Sequence, residues 1–264
     1  DNLEQAKAIV PAEVYMIAAC EESKEVTNDS SIEVPLAFSE VPGQNSHACT
    51  SAFLNVMHSQ ELKPDPDMTY QDVLLQMRER LKNSGGSNQI PQLASSRPLN
   101  IKKPFRIVPN GFSGRRRALL IGINYTGQPN ALNRSHNDVR NIRKYIHKIL
   151  GFEKEDIKVL MDDPKYESPT RANILNAFRT LASECTPGDV VFFHFSGHGG
   201  KLEDDDGDEA DGFDETMLPV DHKTKGQIRD DEIYATLVGP IPKGVTMTCI
   251  LDCSHSGSLL DLPF

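Results

Sequence analysis

The residues best suited to chemistry lie near the end of the sequence, at positions 252–257 (DCSHSG). They follow residues 245–251 (VTMTCIL), an apolar and β-branched run that predicts a buried strand. A second break of the same kind, at positions 196–200 (SGHGG), follows the apolar run 190–195. A strand that ends in small and polar residues can hold a nucleophile at the edge of a sheet. His198 and position 254 are therefore candidates for a general base and a nucleophile.

Composition limits the class of protein. At 264 residues the chain is long enough for one sizeable core or two small ones. A formal charge of −10 argues against nucleic acid or an anionic membrane as main partners, because both require a basic surface. The five cysteines form no CxxC pair, which favours reduced thiols in a cytoplasmic protein over a disulfide framework or a zinc site. There is no apolar run long enough to span a bilayer and no signal-peptide pattern at Asp1.

The second half of the chain alternates strand and helix patterns. Apolar runs predict strands at residues 118–123, 157–160, 190–195 and 245–251, and helical periodicity predicts helices at residues 138–150 and from Thr170 onward. Strands separated by amphipathic helices pair in parallel through right-handed crossovers. Ligands of such sheets bind beyond the carboxyl ends of the strands, where both candidate residues fall.

The first half is less regular. Its patterns predict a strand at residues 13–20, helices at 48–60 and 70–82 with Thr69 as a cap of the second, and extended pieces at 91–94 and 101–108. The best boundary with the second half is the stretch 109–114 (PNGFSG). Only one of these strands is strongly apolar, so we expect the first half to complete the sheet of the second half.

Five motifs stand out in the sequence: residues 122–125 (GINY), 195–199 (FSGHG), 208–215 (DEADGFDE), 230–232 (DDE) and 252–257 (DCSHSG). Together they resemble the motifs of the metacaspases, proteases with the caspase fold. The spacing between His198 and position 254 also fits the roughly 50 residues that separate histidine and nucleophile in caspase-type enzymes. The resemblance implies an α/β fold, a caspase-like three-layer αβα sandwich with a mostly parallel central sheet.

The resemblance also implies an unusual order of the two catalytic units. Residues 1–108 correspond to the small unit, residues 109–115 to a linker and residues 116–264 to the large unit, together one caspase-like domain. In most metacaspases the small unit comes second, and the reversed order is called type III. We expect the ends of a chain permuted in this way to lie near one another. Two unrelated domains in tandem are the alternative.

The nucleophile position departs from the family pattern. The metacaspase catalytic cysteine directly precedes the histidine of the last motif, and Ser254 stands there in this chain. Cys253 matches the non-catalytic cysteine, and because neighbouring strand-end residues point to opposite sides it cannot readily replace Ser254. A hydroxyl holds its proton more tightly than a thiol, so we expect an assembled but nearly inert site. Ser254 marks either a substituted active protease or a natural non-catalytic relative that binds peptide or calcium as a regulator.

The resemblance implies cleavage of peptide or protein substrates after arginine or lysine, which requires carboxylates in a pocket. The implied pocket acids are Asp138 and Asp252, and Ser135 and Ser196 occupy other positions that line it. Asp138 also suits a helix N-terminus, where a negative charge is favoured, and Asp252 also suits a hydrogen-bonded structural role. For His198 the alternative is an ordinary polar residue at a strand end.

Acidic residues crowd positions 203–215 without the ligand spacing of an EF-hand, and a solvated acidic loop is the plain interpretation. The metacaspases include calcium-activated members. The resemblance implies Ca²⁺ ligands at Asp214, Asp230, Asp231 and Asp261, whose carboxylates are the oxygen donors that calcium prefers. Because Asp261 lies just beyond Ser254, we expect bound calcium to order the loop that carries the nucleophile.

Basic residues near the boundary are candidate self-cleavage sites of an active form, if they lie in flexible segments. They are Arg115, Arg116 and Arg117, with Lys102 and Lys103 nearby. A solubilising surface cluster or a patch flanking a strand is the alternative. The resemblance further implies a monomer.

Overall fold

A computed structural model describes residues 10–19, 35, 46–62, 67–83, 89–203 and 213–264 of the chain. Some sequence predictions fall outside these residues. They include the first nine residues of the small unit, Cys20 at the end of the predicted first strand, and residues 204–212 of the acidic segment, which contain most of the 208–215 motif.

A six-stranded sheet with the order β2-β1-β9-β5-β3-β4 forms the centre of the molecule. Its strands are β1 (Glu13–Ala18), β2 (Gln92–Ser95), β3 (Arg116–Gly122), β4 (Ile157–Met161), β5 (Val190–Ser196) and β9 (Thr246–Asp252). All neighbours run parallel except β1 and β2, which are antiparallel. The first-half strand β1 therefore lies directly beside β9, the strand that leads to position 254.

Helices cover both faces of this sheet. On one face α1 (Ala48–Leu62), α2 (Tyr70–Asn83) and α3 (Ser135–Lys148) share a core with side chains such as Phe192. On the other face α4 (Arg171–Glu184) packs so that Phe178 meets Phe193 with 5.6 Å between ring centroids. Successive residues of β5 thus enter opposite cores, as alternation along a strand requires. The three-layer αβα arrangement predicted from the sequence is confirmed.

A second, antiparallel sheet begins at the carboxyl end of β5. It consists of β6 (Gly199–Glu203), β7 (Phe213–Met217) and β8 (Ile228–Arg229), with the short helices α5 (His222–Lys225) and α6 (Asp230–Ile233) beside it. A π-helical turn, Tyr234–Val238, continues α6. The acidic-loop interpretation of residues 203–215, the alternative to a calcium site, was wrong at Glu203 and at residues 213–215, which belong to β6 and β7. These short and mostly polar strands carry no apolar alternation that would predict them.

Most other elements agree with their predicted bounds within a few residues. Thr69 and Thr170 act as helix caps, accepting from the backbone N–H of Asp72 at 3.1 Å and of Asn173 at 3.3 Å. The helix α3 begins and ends earlier than predicted, and Ile149, just beyond its last residue, is 42% exposed. The predicted extended piece at 101–108 was wrong; apart from an isolated bridge at position 104 it forms turns and loop, in part because Pro104 has no N–H to donate.

The last residue of the sequence lies against the small-unit strand β2. Ser95 and Phe264 exchange backbone hydrogen bonds of 2.6 and 3.1 Å. Two residues beyond Ser95, the Arg97 guanidinium donates to the carbonyl oxygen of Val10 at 2.6 Å. Val10, the first described residue, and Phe264 therefore both lie beside β2 or the residues that follow it, whereas residues 1–9 lie outside the described ranges.

Among the helices of the described ranges, none combines the length and the apolar character needed to cross a bilayer.

Candidate active site

The two candidate catalytic positions follow neighbouring strands of the central sheet. Ser196 at the end of β5 is paired in register with Asp252 at the end of β9, and the backbone N–H of Gly197 donates to the carbonyl oxygen of Asp252 at 3.4 Å. His198 and Ser254 each lie two residues beyond this pair. The parallel sheet therefore brings an imidazole and a hydroxyl side chain to the same edge, as the strand-end motifs predicted.

Close backbone packing joins the two positions. The residue after His198 is Gly199, and a Cβ atom added to it would collide with the carbonyl oxygen of Ser254 and would lie 3.0 Å from the carbonyl carbon. Only glycine fits this contact, because any side chain would push the two strand ends apart. The glycine after the histidine is thus required by the approach of the nucleophile loop.

The imidazole of His198 is held at three points. Its Nε2 lies 2.7 Å from the carbonyl oxygen of Asn130, its backbone N–H donates to the Tyr125 hydroxyl at 2.9 Å, and its ring lies 4.7 Å from the Tyr125 ring. A carbonyl oxygen only accepts hydrogen bonds, so Nε2 carries the proton and Nδ1 is left as the basic nitrogen. Burial lowers the pKa of His198, which favours the neutral imidazole that a general base requires.

Hydrogen bonds fix the first residues of the loop that contacts His198. Tyr125 is buried and donates its hydroxyl proton to the carbonyl oxygen of Leu218 at 2.7 Å. Asp162 accepts from the backbone N–H of Asn124 at 2.8 Å and of Thr126 at 3.2 Å. Tyr125 and Asn130 both have positive φ angles, 53° and 62°. The Asn130 carbonyl that contacts the imidazole therefore belongs to a loop whose backbone is held by hydrogen bonds.

Cys253 and Ser254 differ in their environment as the sequence predicted. Cys253 is wholly buried among apolar side chains, whereas Ser254 is partly exposed. A thiol sealed in an apolar core resists ionisation and is closed to a substrate. Cys253 is therefore not a substitute nucleophile in this conformation.

Three of the four predicted pocket residues form one buried group, beside a histidine that the sequence analysis did not single out. Asp138 Oδ2 lies 2.6 Å from the His47 Nδ1 and accepts from the Ser196 hydroxyl at 2.6 Å. Asp138 Oδ1 accepts from the backbone N–H of His47 at 2.8 Å. Burial raises the pKa of Asp138, but the charge and hydrogen bonds of His47 and the hydroxyl of Ser196 reverse this and leave it lowered. Asp138 is a fully engaged carboxylate.

Asp252 is also buried, but only one of its two carboxylate oxygens accepts hydrogen bonds. Its Oδ2 accepts from both the backbone N–H and the hydroxyl of Thr50, each at 2.8 Å, in the first turn of α1. Its Oδ1 has no hydrogen-bond partner. Burial, and then the nearby charge of Asp138, raises the pKa of Asp252 to about 6. An orphaned carboxylate oxygen in a buried site is costly unless a ligand completes it.

Two further side chains complete the surroundings of this group. The hydroxyl of Ser135 is buried without a hydrogen-bond partner at the start of α3. His194 donates from Nδ1 to the carbonyl oxygen of Ile250 at 2.9 Å, and burial lowers its pKa to about 4, so it is neutral. The contact with the Ile250 carbonyl oxygen fits a structural role for His194. All four predicted pocket residues are closed to solvent in this structure.

Three of the four predicted calcium ligands lie together. Asp214 on β7 and Asp230 and Asp231 on α6 each offer a carboxylate oxygen within 4.8 Å of the others. Burial, and the charges of nearby acids, raises the pKa of Asp230 to about 6. The Arg229 guanidinium forms an ion pair with Asp214. The group consists of hard oxygen donors, which fits calcium.

The fourth predicted ligand, Asp261, is not a member of this group. Its charge helps to raise the pKa of Tyr234, after burial, so it lies on the same side of the molecule as the turn that follows α6. Asp261 has a positive φ of 47° and donates its backbone N–H to the carbonyl oxygen of Ser258 at 2.8 Å.

Two of the three predicted self-cleavage residues lie in a central strand. Arg116 and Arg117 are part of β3, which pairs with β5 and β4. Arg115 forms an ion pair with Asp156 at 2.5 Å, and Arg117 contacts Asp189 at 3.2 Å. The premise of a flexible segment was wrong for Arg116 and Arg117, because they begin a central strand, whereas Arg115 precedes it and its side chain is 62% exposed. Cleavage after Arg116 or Arg117 would require β3 to open.

Sequence reasoning missed three contributors to the site. His47 lies in a polar stretch before α1, and Thr50 lies in the first turn of that helix. Asn130 contributes only a backbone carbonyl, which leaves no trace in residue type. A histidine and a threonine at a helix start give no signal of the strand ends they meet. Tyr125 was part of the GINY motif, but nothing in that motif indicated its hydroxyl contacts.

Comparison with known proteins agrees with this geometry. Residues 116–263 match the metacaspase, peptidase C14 domain family. Metacaspase III c of Phaeodactylum tricornutum is 43% identical over 258 residues, which cover 96% of this chain and 75% of that protein.

Fungal relatives match a shorter part of the chain. Metacaspase-1B of Aspergillus fumigatus is 48% identical over 162 residues, covering 61% of this chain and 40% of that protein. Metacaspase-1 of Sclerotinia sclerotiorum is 47% identical over 154 residues, covering 58% and 36%. The chain thus spans three quarters of the diatom relative but about two fifths of these fungal ones. The match to the family over more than half of the chain, and to the diatom protein over nearly all of it, shows that this chain belongs to the metacaspase family of cysteine peptidases.

Proposed function

We propose that this chain carries the active site of an endopeptidase that cleaves after arginine or lysine, with Ser254 at the position of the nucleophilic cysteine. The observation that carries the proposal is the meeting of His198 and Ser254 at adjacent strand ends, with Nδ1 of the imidazole left as its basic nitrogen. As it stands, with a hydroxyl in place of the thiol, the chain is nearly inactive.

The chemistry follows from the tautomer of His198. A thiol at position 254 gives its proton to Nδ1, and the thiolate attacks the carbonyl carbon of the scissile bond. The imidazolium then donates that proton to the leaving amine, and a water activated by Nδ1 releases the acyl group. Asn130 keeps Nε2 occupied, so the ring cannot turn its basic nitrogen away. A serine hydroxyl does not ionise in this way without a more strongly arranged base.

The preference for a basic residue is supported by the unfilled acceptors of the pocket. Asp252 Oδ1 and the Ser135 hydroxyl are buried polar atoms without partners. A guanidinium or ammonium group entering between them would satisfy both and would pair with the carboxylate. Since both groups are closed to solvent, the pocket has to open before a substrate side chain enters.

Calcium dependence is supported by the three clustered carboxylates. Asp214, Asp230 and Asp231 would hold the ion, which would supply a charge that neutralises their mutual repulsion. The raised pKa of Asp230 is what crowded, buried carboxylates produce in the absence of a cation. With calcium bound, the pair between Arg229 and Asp214 would give way to metal ligation.

A second function, in a different class, is a non-catalytic regulator that binds peptide or calcium. Ser254 itself favours it, because a natural serine at this position removes the thiol on which the chemistry depends. The closed pocket is compatible with either function. Restoring the thiol separates them.

The test is the Ser254→Cys variant assayed on arginine- and lysine-ended peptides with calcium. We expect hydrolysis by this variant and none by the matched Ser254→Ala control. A silent but well-folded Ser254→Cys protein would support the regulator. Fragments that end at Arg115, Arg116 or Arg117 would reveal self-processing, whereas an intact chain would argue against it.

Calcium binding is tested separately by thermal unfolding with calcium and with a chelator. A ligand at 100 times its Kd stabilises the folded state by about 2.7 kcal/mol. We expect an upward shift with millimolar calcium that Asp231→Asn removes. An unchanged midpoint in the unsubstituted chain would count against the site.

A further inference from the structure

A histidine side chain contacts Asp138, one of the two carboxylates that a basic side chain of a substrate would be expected to bind. His47, immediately before α1, is 1% exposed and binds both oxygens of Asp138, through its Nδ1 at 2.6 Å and its backbone N–H at 2.8 Å. The segment is fixed from the other side by Asn141, whose amide donates to the Ser46 hydroxyl at 2.9 Å. His47 is thus built into the pocket.

The two pocket acids therefore differ in the number of carboxylate oxygens that remain available to a ligand. Asp138 has no oxygen left without a donor, because Ser196 and His47 occupy it. Asp252 has both of its Thr50 bonds on Oδ2 and keeps Oδ1 open. A cation that enters this space meets one open carboxylate oxygen, and it also meets the imidazole of His47.

We propose that His47 is a specificity-determining residue of the pocket: its imidazolium pre-pairs with Asp138, so that Asp252 alone receives the basic side chain of a substrate. The inference rests on the proposed function of this site. With both Asp138 and Asp252 ionised and His47 protonated, the pocket carries one net negative charge. When His47 loses its proton, the pocket carries two. Recognition of a basic side chain is therefore weakened by His47 and strengthened when its imidazole is neutral.

The electrostatic surroundings support the charged imidazole. Burial lowers the pKa of His47, but the charge and hydrogen bond of Asp138 outweigh it and leave the pKa raised. Charged or titratable groups reach His47 from α3, β9, β5 and the loops beside them; these are Asp138, Arg134, Asp252, His194 and His198. Arg134 and the other imidazoles oppose its protonation and the two carboxylates favour it.

The sign of the pH dependence follows. Below the pKa of Asp252, about 6, the open carboxylate is protonated and binds a cation poorly. As pH rises further and His47 loses its proton, the pocket gains a second net negative charge. Preference for a basic over a neutral side chain should therefore rise in two steps, of which the upper belongs to His47.

The experiment compares arginine-ended and citrulline-ended peptides in the Ser254→Cys background, since citrulline is a neutral isostere of arginine. The test variant is His47→Asn, which keeps a donor near the position of Nδ1 but cannot carry a charge. The matched control is His147→Asn, because His147 bonds through Nδ1 to the Phe152 carbonyl oxygen at 2.7 Å, outside the pocket.

At pH 8 we expect His47→Asn to lower KM for the arginine peptide about tenfold, with kcat changed less than about threefold, as one charge removed beside a buried cation implies. The citrulline peptide and His147→Asn should show no such change, and the upper pH step should vanish. An unchanged or higher KM for the arginine peptide, or an equal fall for citrulline, would overturn the inference.

A binding measurement tests the inference even if the substituted proteins fail to fold or to hydrolyse peptides. In the unsubstituted chain, the pKa of His47 is followed by NMR with and without benzamidine, an arginine mimic. We expect benzamidine to lower that pKa, because a second cation at Asp252 then repels the positive charge of the imidazolium. A His47 that is neutral at pH 6.5, or one that benzamidine leaves unmoved, would refute the inference. An inactive Ser254→Cys protein with the expected shift would instead refute only the proposed function.

Discussion

Removing the buried hydroxyl of Tyr125 should impair the positioning of the His198 imidazole without weakening the binding of the substrate. Tyr125 donates to the Leu218 carbonyl oxygen at 2.7 Å and accepts from the His198 backbone N–H at 2.9 Å, while its ring lies beside the imidazole. The Tyr125→Phe substitution keeps the ring and deletes both hydrogen bonds. It leaves a donor and an acceptor without partners in a buried site.

The magnitude follows from these two groups. An unsatisfied buried donor or acceptor costs about 1–3 kcal/mol, so the free energy of unfolding should fall by about 2–4 kcal/mol. For a chain of this size that corresponds to a fall in Tm of roughly 5–10 °C. Release of the His198 backbone should lower kcat by roughly 10- to 100-fold, since small displacements of a catalytic group have effects of this order.

The assay measures kcat and KM in the Ser254→Cys background with a lysine-ended peptide, together with thermal unfolding. KM should change less than about twofold, because no described contact joins the Tyr125 hydroxyl to Asp138 or Asp252. Tyr15→Phe is the matched control: its hydroxyl donates to Glu13 at 3.3 Å, and Tyr15 on β1 is in register with Thr248, four residues before the end of β9 at which the site lies. A Tyr125→Phe protein with the expected loss of Tm but unchanged kcat would refute the positioning argument.

Three other changes should give distinct outcomes. Asp189→Ala should cost roughly 3 kcal/mol in urea unfolding, because Asp189 is buried and accepts from two backbone N–H groups and Arg117; a cost under 1 kcal/mol would contradict this. Gly199→Ala should abolish activity of the thiol variant while leaving the chain folded, through collision with the Ser254 carbonyl; retained activity would contradict the contact. The pKa of Asp230 is raised to about 6 in the folded state, so ionisation of this carboxyl lowers the free energy of unfolding as pH rises from about 4 to about 6. Asp230→Asn should therefore raise the calcium-free Tm at pH 7.5 and abolish the rise in Tm that calcium causes. An unchanged calcium-free Tm would contradict a destabilising ionised Asp230.

The regular elements were largely predictable because their signals are local. The strands β3, β4, β5 and β9 are apolar runs, and the helices α3 and α4 have one apolar face, so burial on the core side was encoded in the order of residues. The antiparallel pair β6 and β7 escaped prediction because its residues are mostly polar or glycine. Its stability comes from pairing, which a single segment does not reveal.

Part of the candidate site was likewise predictable. Motifs at two strand ends located His198 and Ser254, and parallel pairing implied that they meet. The family pattern pointed to Asp138 and Asp252 as neighbours, and these two acids do interact in the structure. The motif acids Asp214, Asp230 and Asp231 also lie together, whereas Asp261 stays apart from them. Motifs succeed where a short segment carries its own chemistry.

What the amino-acid order determined by itself is the family, the layered α/β fold and the strand ends at which chemistry can occur. Only the tertiary structure decided that His47 occupies Asp138, that Thr50 leaves one oxygen of Asp252 open, and that a backbone carbonyl sets the tautomer of His198. These contacts join residues far apart in the chain, through atoms that every histidine, threonine or peptide unit possesses. Their meaning arises from packing, because charge and hydrogen bonding act over a few ångströms of space and not along the sequence.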